Sequence, residues 1–342
     1  MGTKGVLLMN VGTPDEPTVG SVRTYLREFL LDPDVIDIPA PLRHLLVRGI
    51  ILRTRPRKIA PLHQKIWMEE GSPLRVYSKR VAENLQHLNQ DIDVEFAMRY
   101  GNPSIRSGLE NLKARGVTDL LLLPMFPHYA QATTESSLKH AHHQLSKMKW
   151  EPNLLEMNHF ETAEEFIAPL TESIRPHLSE DTHLLFSYHG LPISHVKRID
   201  TSKSHCQTVD DCCAISCEGN SLCYGHHCYK TTMAVVERLG LTPDRWSLSY
   251  QSRVGPVKWL EPSTTQMVEA LVKKGIKKLA IVAPAFLADG LETLEELNIG
   301  IREEFMEHGG EELKVINCLN DDEQWIEGLE KLITKEFSAL AA

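Results

Sequence analysis

Two places in the chain combine residue types that can hold a metal. The first is SHCQTVDDCCAISCEGNSLCYGHHCYKTT, residues 204–232, which contains six of the seven cysteines. Disulfides, zinc and an iron–sulfur cluster all need thiols, and thiolates suit the last two alike. No paired C-x-x-C knuckle occurs, so the commonest zinc-ribbon spacing is absent. The second place is made of two short stretches far apart in sequence. FSYHGLP carries His189, and APAFLADGLETLEEL carries Phe286, Asp289, Glu292 and Glu296. One imidazole and one or two carboxylates form a borderline-hard donor set that fits a first-row divalent ion such as ferrous iron. A fixed, closed metal site needs more ligands than this, whereas an ion meant to be passed on needs few.

These groups must be positioned by the elements around them. GVLLMNVG (5–12), VEFAMRYG (94–101) and TDLLLLPMF (118–126) read as buried strands, with helices predicted at 19–31, 73–88, 104–115 and 133–147. The scheme then begins again. HLLFSYHG (183–190), WSLSYQS (246–252), KKLAIVAPAF (277–286) and LKVINCL (313–319) read as strands, with helices at 162–177, 228–239, 262–274 and 291–307. Near-continuous apolar strands alternating with helices predict an α/β protein with parallel sheets covered on both faces. Two such runs predict two doubly wound domains, 1–155 and 156–320, with the last helix, 321–342, packed back on the first domain. The cysteine segment, 204–228, is an insertion between a strand and a helix of the second domain.

In open parallel sheets chemistry gathers at the carboxyl ends of the strands. His189 is expected immediately after a strand, where Gly190 and Pro192 make a tight turn. Glu292 and Glu296 are expected on one helix face at i, i+4. Neither G-x-G-x-x-G nor G-x-x-x-x-G-K-[ST] follows a strand, which leaves a dinucleotide or P-loop reading without support.

Composition narrows the class. The chain has 342 residues, 42% apolar and 24% charged, as is usual for a soluble globular protein, and its formal charge of −9 argues against a general nucleic-acid binder. The first residues form no signal peptide and no apolar run reaches the length of a spanning helix, so the cytoplasm is the expected address. Thiols stay reduced there, which favours a metal site over disulfides in the cysteine segment.

Read in order, the motifs resemble one family. LLMNVGTPDEP, YLREFLLDPDVIDIP, WMEEGSPL, LLLPMFPHYAQATTESS, SYHGLP, YQSRVGPVKWLEP and PAFLADGLETLEEL are similar to the successive motifs of the ferrochelatases, over nearly the whole length. The resemblance implies a metal chelatase, a lyase that inserts ferrous iron into protoporphyrin IX, releases two protons and forms protohaem in the last step of haem biosynthesis. It implies two Rossmann-like domains of the chelatase fold with a cleft between them. The family's metal-site histidine falls on His189 and its partner glutamate on Glu292, with Asp289 and Glu296 as acidic neighbours leading away from the site. Val11, Leu26, Phe29, Trp259 and Phe286 match positions near the macrocycle.

The chemistry suits these types. The flat ring must pucker and lose two N–H protons before iron enters, and apolar stacking can supply the distortion. An imidazole can accept a pyrrole proton, so His189 is the expected base and Glu292 the metal or proton relay; the reverse assignment stays open. Arg53 and Arg55, in the basic run RTRPRK (53–58), are candidates for the propionates or for anionic lipid. Residues 38–58 as a whole could rest in a membrane interface. Arg99 and Tyr100 at a strand end, and His128 and Tyr129 after another, are further candidates to line the site.

Some ferrochelatases carry a 2Fe–2S cluster, with three cysteine ligands near the C-terminus in the animal enzymes. Here KLITKEFSALAA has no cysteine, and Gln131 stands at the family's internal ligand position. A cluster must then be built within the insertion. The expected ligands are Cys206, Cys213, Cys217 and Cys223. Cys212 is the substitute, because adjacent side chains diverge on an extended backbone. Cys228 is the expected non-ligand, and Cys318 is expected to be core in the last strand. Two other readings remain: a chelatase of the same fold acting on cobalt and a corrin precursor, and a non-enzymatic iron–sulfur sensor.

Overall fold

The computed structural model describes residues 2–253 and 255–339. The chain forms two compact units. One comprises the residues up to Phe126, Gln131–Asn158 and those from Asn320 on; the other comprises Pro127–Ala130 and His159–Leu319.

The first unit is built on β1 (Lys4–Gly12), whose interior is fully buried because both faces are covered. It is followed by α1 (Val19–Leu30), α2 (Ala40–Leu46), a π-helical turn at Val47–Ile51, α3 (Leu52–Ile66) and α4 (Pro73–Leu88). Then come β2 (Ile92–Tyr100), α5 (Ile105–Ala114), β3 (Asp119–Pro124), a second π-turn at Gln131–Glu135, α6 (Ser136–Met148) and β4 (Asn153–Glu156). The four parallel strands lie in the order β2-β1-β3-β4. Leu7, Met9, Ala97, Leu120 and Leu122 of the sheet pack with Leu109, Leu112, Leu138 and Leu145 of α5 and α6. A smaller apolar group joins Val22, Leu26 and Leu30 of α1 to Val47, Leu52 and Ala60.

The second unit repeats the plan. It contains α7 (Glu164–Ile174), β5 (Thr182–His189), α8 (Ile193–Ile199), α9 (Tyr224–Leu239), β6 (Trp246–Gln251), α10 (Thr264–Lys273) and β7 (Lys278–Val282). A ten-residue π-helix, Glu292–Ile301, runs directly into α11 (Arg302–Glu307), and β8 (Glu312–Val315) completes a parallel sheet of order β6-β5-β7-β8. The last helix, α12 (Glu323–Ala339), belongs to the first unit and packs on α4.

In both sheets the central strands are the near-continuous apolar runs and the flanking β4 and β8 are short. The strand expected over 277–286 ends at Val282, because Pro284 cannot donate a ladder bond. That expected over 313–319 ends at Val315, so Cys318 lies beyond it. The helix expected over 291–307 is π-helical for its first ten residues.

Candidate active site and thiol centre

His189 is the last residue of β5 and pairs with Gln251, the last residue of β6. Its Nδ1 is 2.7 Å from the Gly190 carbonyl, which can only accept, so the proton sits on Nδ1 and Nε2 keeps its lone pair. Gly190 itself is held by a 2.8 Å bond from its N–H to the Gln251 carbonyl. The residue must be small, since a Cβ there would lie 2.7 Å from that oxygen and 3.3 Å from the Trp259 ring. Phe286 presents its ring edge-on to His189 at 6.2 Å.

Glu292 begins the π-helix that follows β7. Burial pushes its carboxyl above the ordinary carboxylate range, the His189 imidazole pulls it partly back, and Glu296 adds to the rise. The two groups expected to share a site therefore lie near enough, within one unit, for the charge of one to act on the other. Gln251 ties their supports together: its side-chain oxygen accepts from Ser187 Oγ at 2.7 Å and its Nε2 donates to the Glu292 carbonyl at 3.0 Å.

The other two acidic residues each hold a hydroxyl partner. Both oxygens of Glu296 accept from Ser252, from its N–H at 2.7 Å and its hydroxyl at 2.5 Å, so the carboxylate is clamped to the loop after β6. Ser252 holds a left-handed φ of 66° to make that clamp. Asp289 accepts from Thr293 Oγ1 at 2.7 Å, and the Cys318 thiol shares a hydrogen bond with it. Cys318, expected in the core of a strand, is instead a partner of the acidic turn.

In the first unit, Leu26 is 7% exposed, inside the apolar group of α1 and α3. Phe29 packs on that group and edge-on to Tyr100 at 5.2 Å. Val11 is half-buried on β1, Arg55 is half-buried on α3 and Arg53 is exposed. Arg99 pairs with Asp32, which also accepts from the Tyr100 phenol at 2.8 Å. This polar group borders a cavity of about 360 Å³ lined also by Glu28, Lys139, His140 and His143.

His128 and Tyr129 are buried in the second unit, not at a rim. His128 meets the ring of Tyr188 edge-on at 5.3 Å, and burial lowers its pKa to about 3. The Tyr129 N–H donates to His227 Nδ1 at 3.2 Å. One further set of donors, His159, Glu161 and His227, lies within 4.8 Å. It is a charge cluster: His227 Nε2 donates to the Ser221 carbonyl at 2.7 Å, so both its nitrogens are used, and Lys230 already meets Glu161 at 2.6 Å.

The cysteine segment is a series of turns fixed by side chains. Asp200 accepts from the N–H groups of His205 and Cys206 at 3.0 and 2.8 Å and from Ser202. His205 Nε2 donates to the Cys212 carbonyl at 2.8 Å, and His226 Nδ1 to that of Cys213 at 2.7 Å. Asn220 donates to the Ile215 carbonyl at 2.7 Å and accepts from the Cys217 N–H at 2.9 Å.

Cys206, Cys212, Cys213 and Cys223 are near neighbours in this segment, though among the described residues no three of their sulfurs lie within 4.8 Å of one another. Burial pushes Cys206 up to about 12, and Cys223 and Cys212 add to the rise. Cys213 is raised by burial and then by Cys212, Cys223 and Cys206. Cys217 is not among them: it is exposed and caps the 3₁₀ turn at Glu218–Asn220. Cys217 therefore stands apart from the other expected ligands, while Cys212, the expected substitute, lies nearer to them. The reason is local. The Ala214 N–H donates to the Asp211 carbonyl at 2.7 Å, so Cys212 and Cys213 occupy the centre of a tight turn and their side chains converge. Cys228 is buried behind this group, at the first turns of α9. Burial raises the thiols of Cys206, Cys213 and Cys223, and thiolates are the donors that iron–sulfur centres use.

The family model for ferrochelatase matches residues 3–337. The ferrochelatase of Pseudomonas fluorescens (strain Pf0-1) is 41% identical over 342 residues, covering 99% of this chain and 100% of that protein. The chain belongs to the ferrochelatase family. The ferrochelatase of Bdellovibrio bacteriovorus is 40% identical over 97% of this chain and 99% of its own. Among solved structures, SirB from Bacillus subtilis with Fe3+ superposes with a TM-score of 0.55 at 11% identity, covering 98% of this chain and 95% of that one. The sirohydrochlorin chelatase SirB in complex with cobalt, from subspecies spizizenii, gives 0.52 at 8% identity over 98% of this chain and 95% of its own. The ferrochelatase resemblance therefore holds in sequence over the whole chain, while the likeness to SirB is one of fold.

Proposed function

We propose that His189 and Glu292 carry out the reaction of the ferrochelatase family on this chain, the insertion of ferrous iron into a porphyrin for haem synthesis. The reading rests on one observation: an imidazole whose Nδ1 is engaged by the Gly190 carbonyl, near a carboxyl that burial has raised. Two pyrrole protons must leave as the metal–nitrogen bonds form. Nε2 of His189 accepts one pyrrole proton and the Glu292 carboxylate the other, and each is then passed to solvent. As protons leave, the carboxylate becomes available to the incoming cation, so the two events favour one another. Phe286 and Trp259 give the imidazole apolar flanks suited to a macrocycle. Asp289 and Glu296 hold the start of the π-helix through Thr293 and Ser252 and so fix the direction of Glu292. Protoporphyrin IX is the porphyrin proposed, and Arg53 and Arg55 are the proposed propionate partners.

The test is anaerobic conversion of ferrous iron and porphyrin to haem by His189→Ala and Glu292→Gln. Each is expected to lose about a hundredfold or more, the usual share of a general acid or base. Near-normal turnover in both would remove the assignment.

The thiol centre is proposed to hold a 2Fe–2S cluster through Cys206, Cys212, Cys213 and Cys223. When bound, it would supply a redox-active inorganic cross-link between turns that otherwise carry no regular secondary structure. Iron insertion changes no oxidation state, so the reaction itself makes no demand on it. About two tightly bound irons per chain are expected in the intact protein, retained in Cys217→Ser and lost in Cys212→Ser.

A surface contact with lipid is favoured by a separate observation. Leu42, Leu45 and Ile50 are 58%, 68% and 60% exposed beside the basic run of α3. Among the described residues no helix is long and apolar enough to cross a membrane. Peripheral contact from the cytoplasmic side would bring the protein to where a water-insoluble porphyrin resides.

A further inference from the structure

We propose that Tyr224 is a positioning residue for His189, and that it ties the seat of the imidazole to the thiol segment. The proposal rests on the reading of His189 as the reacting base.

The Tyr224 phenol donates to the main-chain carbonyl of His189 at 2.9 Å. That carbonyl needs a partner for a geometric reason. The C=O of His189 and the N–H of Gly190 belong to one trans peptide and point in opposite directions. The N–H bonds Gln251 on the β6 side, so the carbonyl points away from β6. Pairing with β7 has already ended at Phe186 and Val282. Tyr224 supplies the bond that the ladder no longer offers at the residue bearing the base. An unpaired buried carbonyl there would let the turn rotate, and the imidazole would rotate with it.

Tyr224 is itself anchored among sulfurs. It is 6% exposed and directly follows Cys223, one of the proposed cluster ligands and itself buried. The Cys228 thiol is within hydrogen-bond reach of its phenol. Its other neighbour, Gly225, lies so close to Cys213 that a Cβ would stand 2.8 Å from that Sγ. A displacement of Cys223 or Cys213 is therefore carried to Tyr224 by the chain itself, and from Tyr224 to the His189 peptide through one hydrogen bond.

The test uses Tyr224→Phe, which removes one oxygen and keeps the ring, and Cys206→Ser, which disturbs the thiols and leaves Tyr224 in place. The first readout is the carbon-13 signal of the His189 ring in histidine-labelled full-length protein, assigned by its loss in His189→Ala. The second is the kinetics of iron insertion. Tyr224→Phe should move the signal, leave the tightly bound iron unchanged, and lower kcat about tenfold or more at unchanged KM, as expected for a base displaced by a fraction of an ångström. Cys206→Ser should move the same signal in the same direction. An unmoved signal with kcat within twofold in Tyr224→Phe overturns the positioning role. A signal moved by Tyr224→Phe but untouched by Cys206→Ser overturns the tie to the thiols. If His189→Ala itself turns over normally, the reading of the base fails, while the ring signal still reports whether Tyr224 positions the residue.

Discussion

Replacing Gln251 by methionine tests whether one buried amide holds the two halves of the reaction centre in register. Gln251 is 3% exposed, and methionine can fill the same volume without its polar ends. Two side-chain bonds disappear, that from Ser187 at 2.7 Å and that to the Glu292 carbonyl at 3.0 Å. Ser187 keeps its 2.8 Å bond with Thr264, so its hydroxyl is not orphaned. The main-chain bond between Gly190 and Gln251 is untouched. At roughly 1 kcal/mol per net bond, the stability lost is about 1–2 kcal/mol, measured as a fall in urea midpoint at constant slope. The effect on turnover should be larger than that loss implies, because the start of the π-helix is released. A shift of about 1 Å in the carboxyl relative to His189 can cost on the order of a hundredfold. Anaerobic iron insertion by Gln251→Met, under conditions where it is fully folded, reads this directly. A variant less stable by the stated amount but with kcat within twofold would show that Gln251 supports the fold and nothing more.

Lys230→Met should destabilise by about 1–2 kcal/mol at neutral pH, below the full value for a broken buried pair because Lys230 is 38% exposed and His159 still meets Glu161 at 2.7 Å. Burial alone would raise the Glu161 carboxyl, but His159, His227 and Lys230 together hold it below its ordinary value of 4.5. That stabilisation is present above 4.5 and lost as pH falls, so urea midpoints of wild type and variant should converge on acidification. Glu292→Gln has the opposite sign. A carboxyl raised by burial costs stability once pH exceeds its unfolded value, so the variant should melt above wild type at neutral pH and level with it in acid. Leu42→Asp with Leu45→Asp should lower co-sedimentation with anionic vesicles about tenfold or more, since each exposed leucine offers roughly 1.5 kcal/mol or more of burial, with turnover of detergent-dispersed porphyrin unchanged.

Much of the fold can be read from the strand runs alone, because a strand buried on both faces shows no polar alternation. GVLLMNVG and HLLFSYHG became β1 and β5, the inner strands of the two sheets. Asn153–Glu156 was missed, being four residues long with polar ends. Helix α3 was obscured by Pro56 and Pro61, which lie inside it. At the candidate site, the places of His189 at the end of β5 and of Glu292 after β7 could be read from the strand pattern. Gln251 and Tyr224 could not, since pattern reports that a side chain is buried and not which carbonyl it meets. Cys212 was set aside on the assumption of an extended backbone, and the turn at Asp211–Ala214 removes that assumption.

The wide winding of Glu292–Ile301 has a cost and a use. Such winding packs its hydrogen bonds less well than the ordinary kind and survives mainly where something depends on it. Dropping one residue from the stretch would let it relax into a tighter, sturdier coil. Each residue removed swings what precedes it by about 100° around the axis, and the Glu292 carboxyl would look elsewhere. A sturdier coil would thus aim Glu292 differently, so the number of residues in this stretch matters as well as their kind.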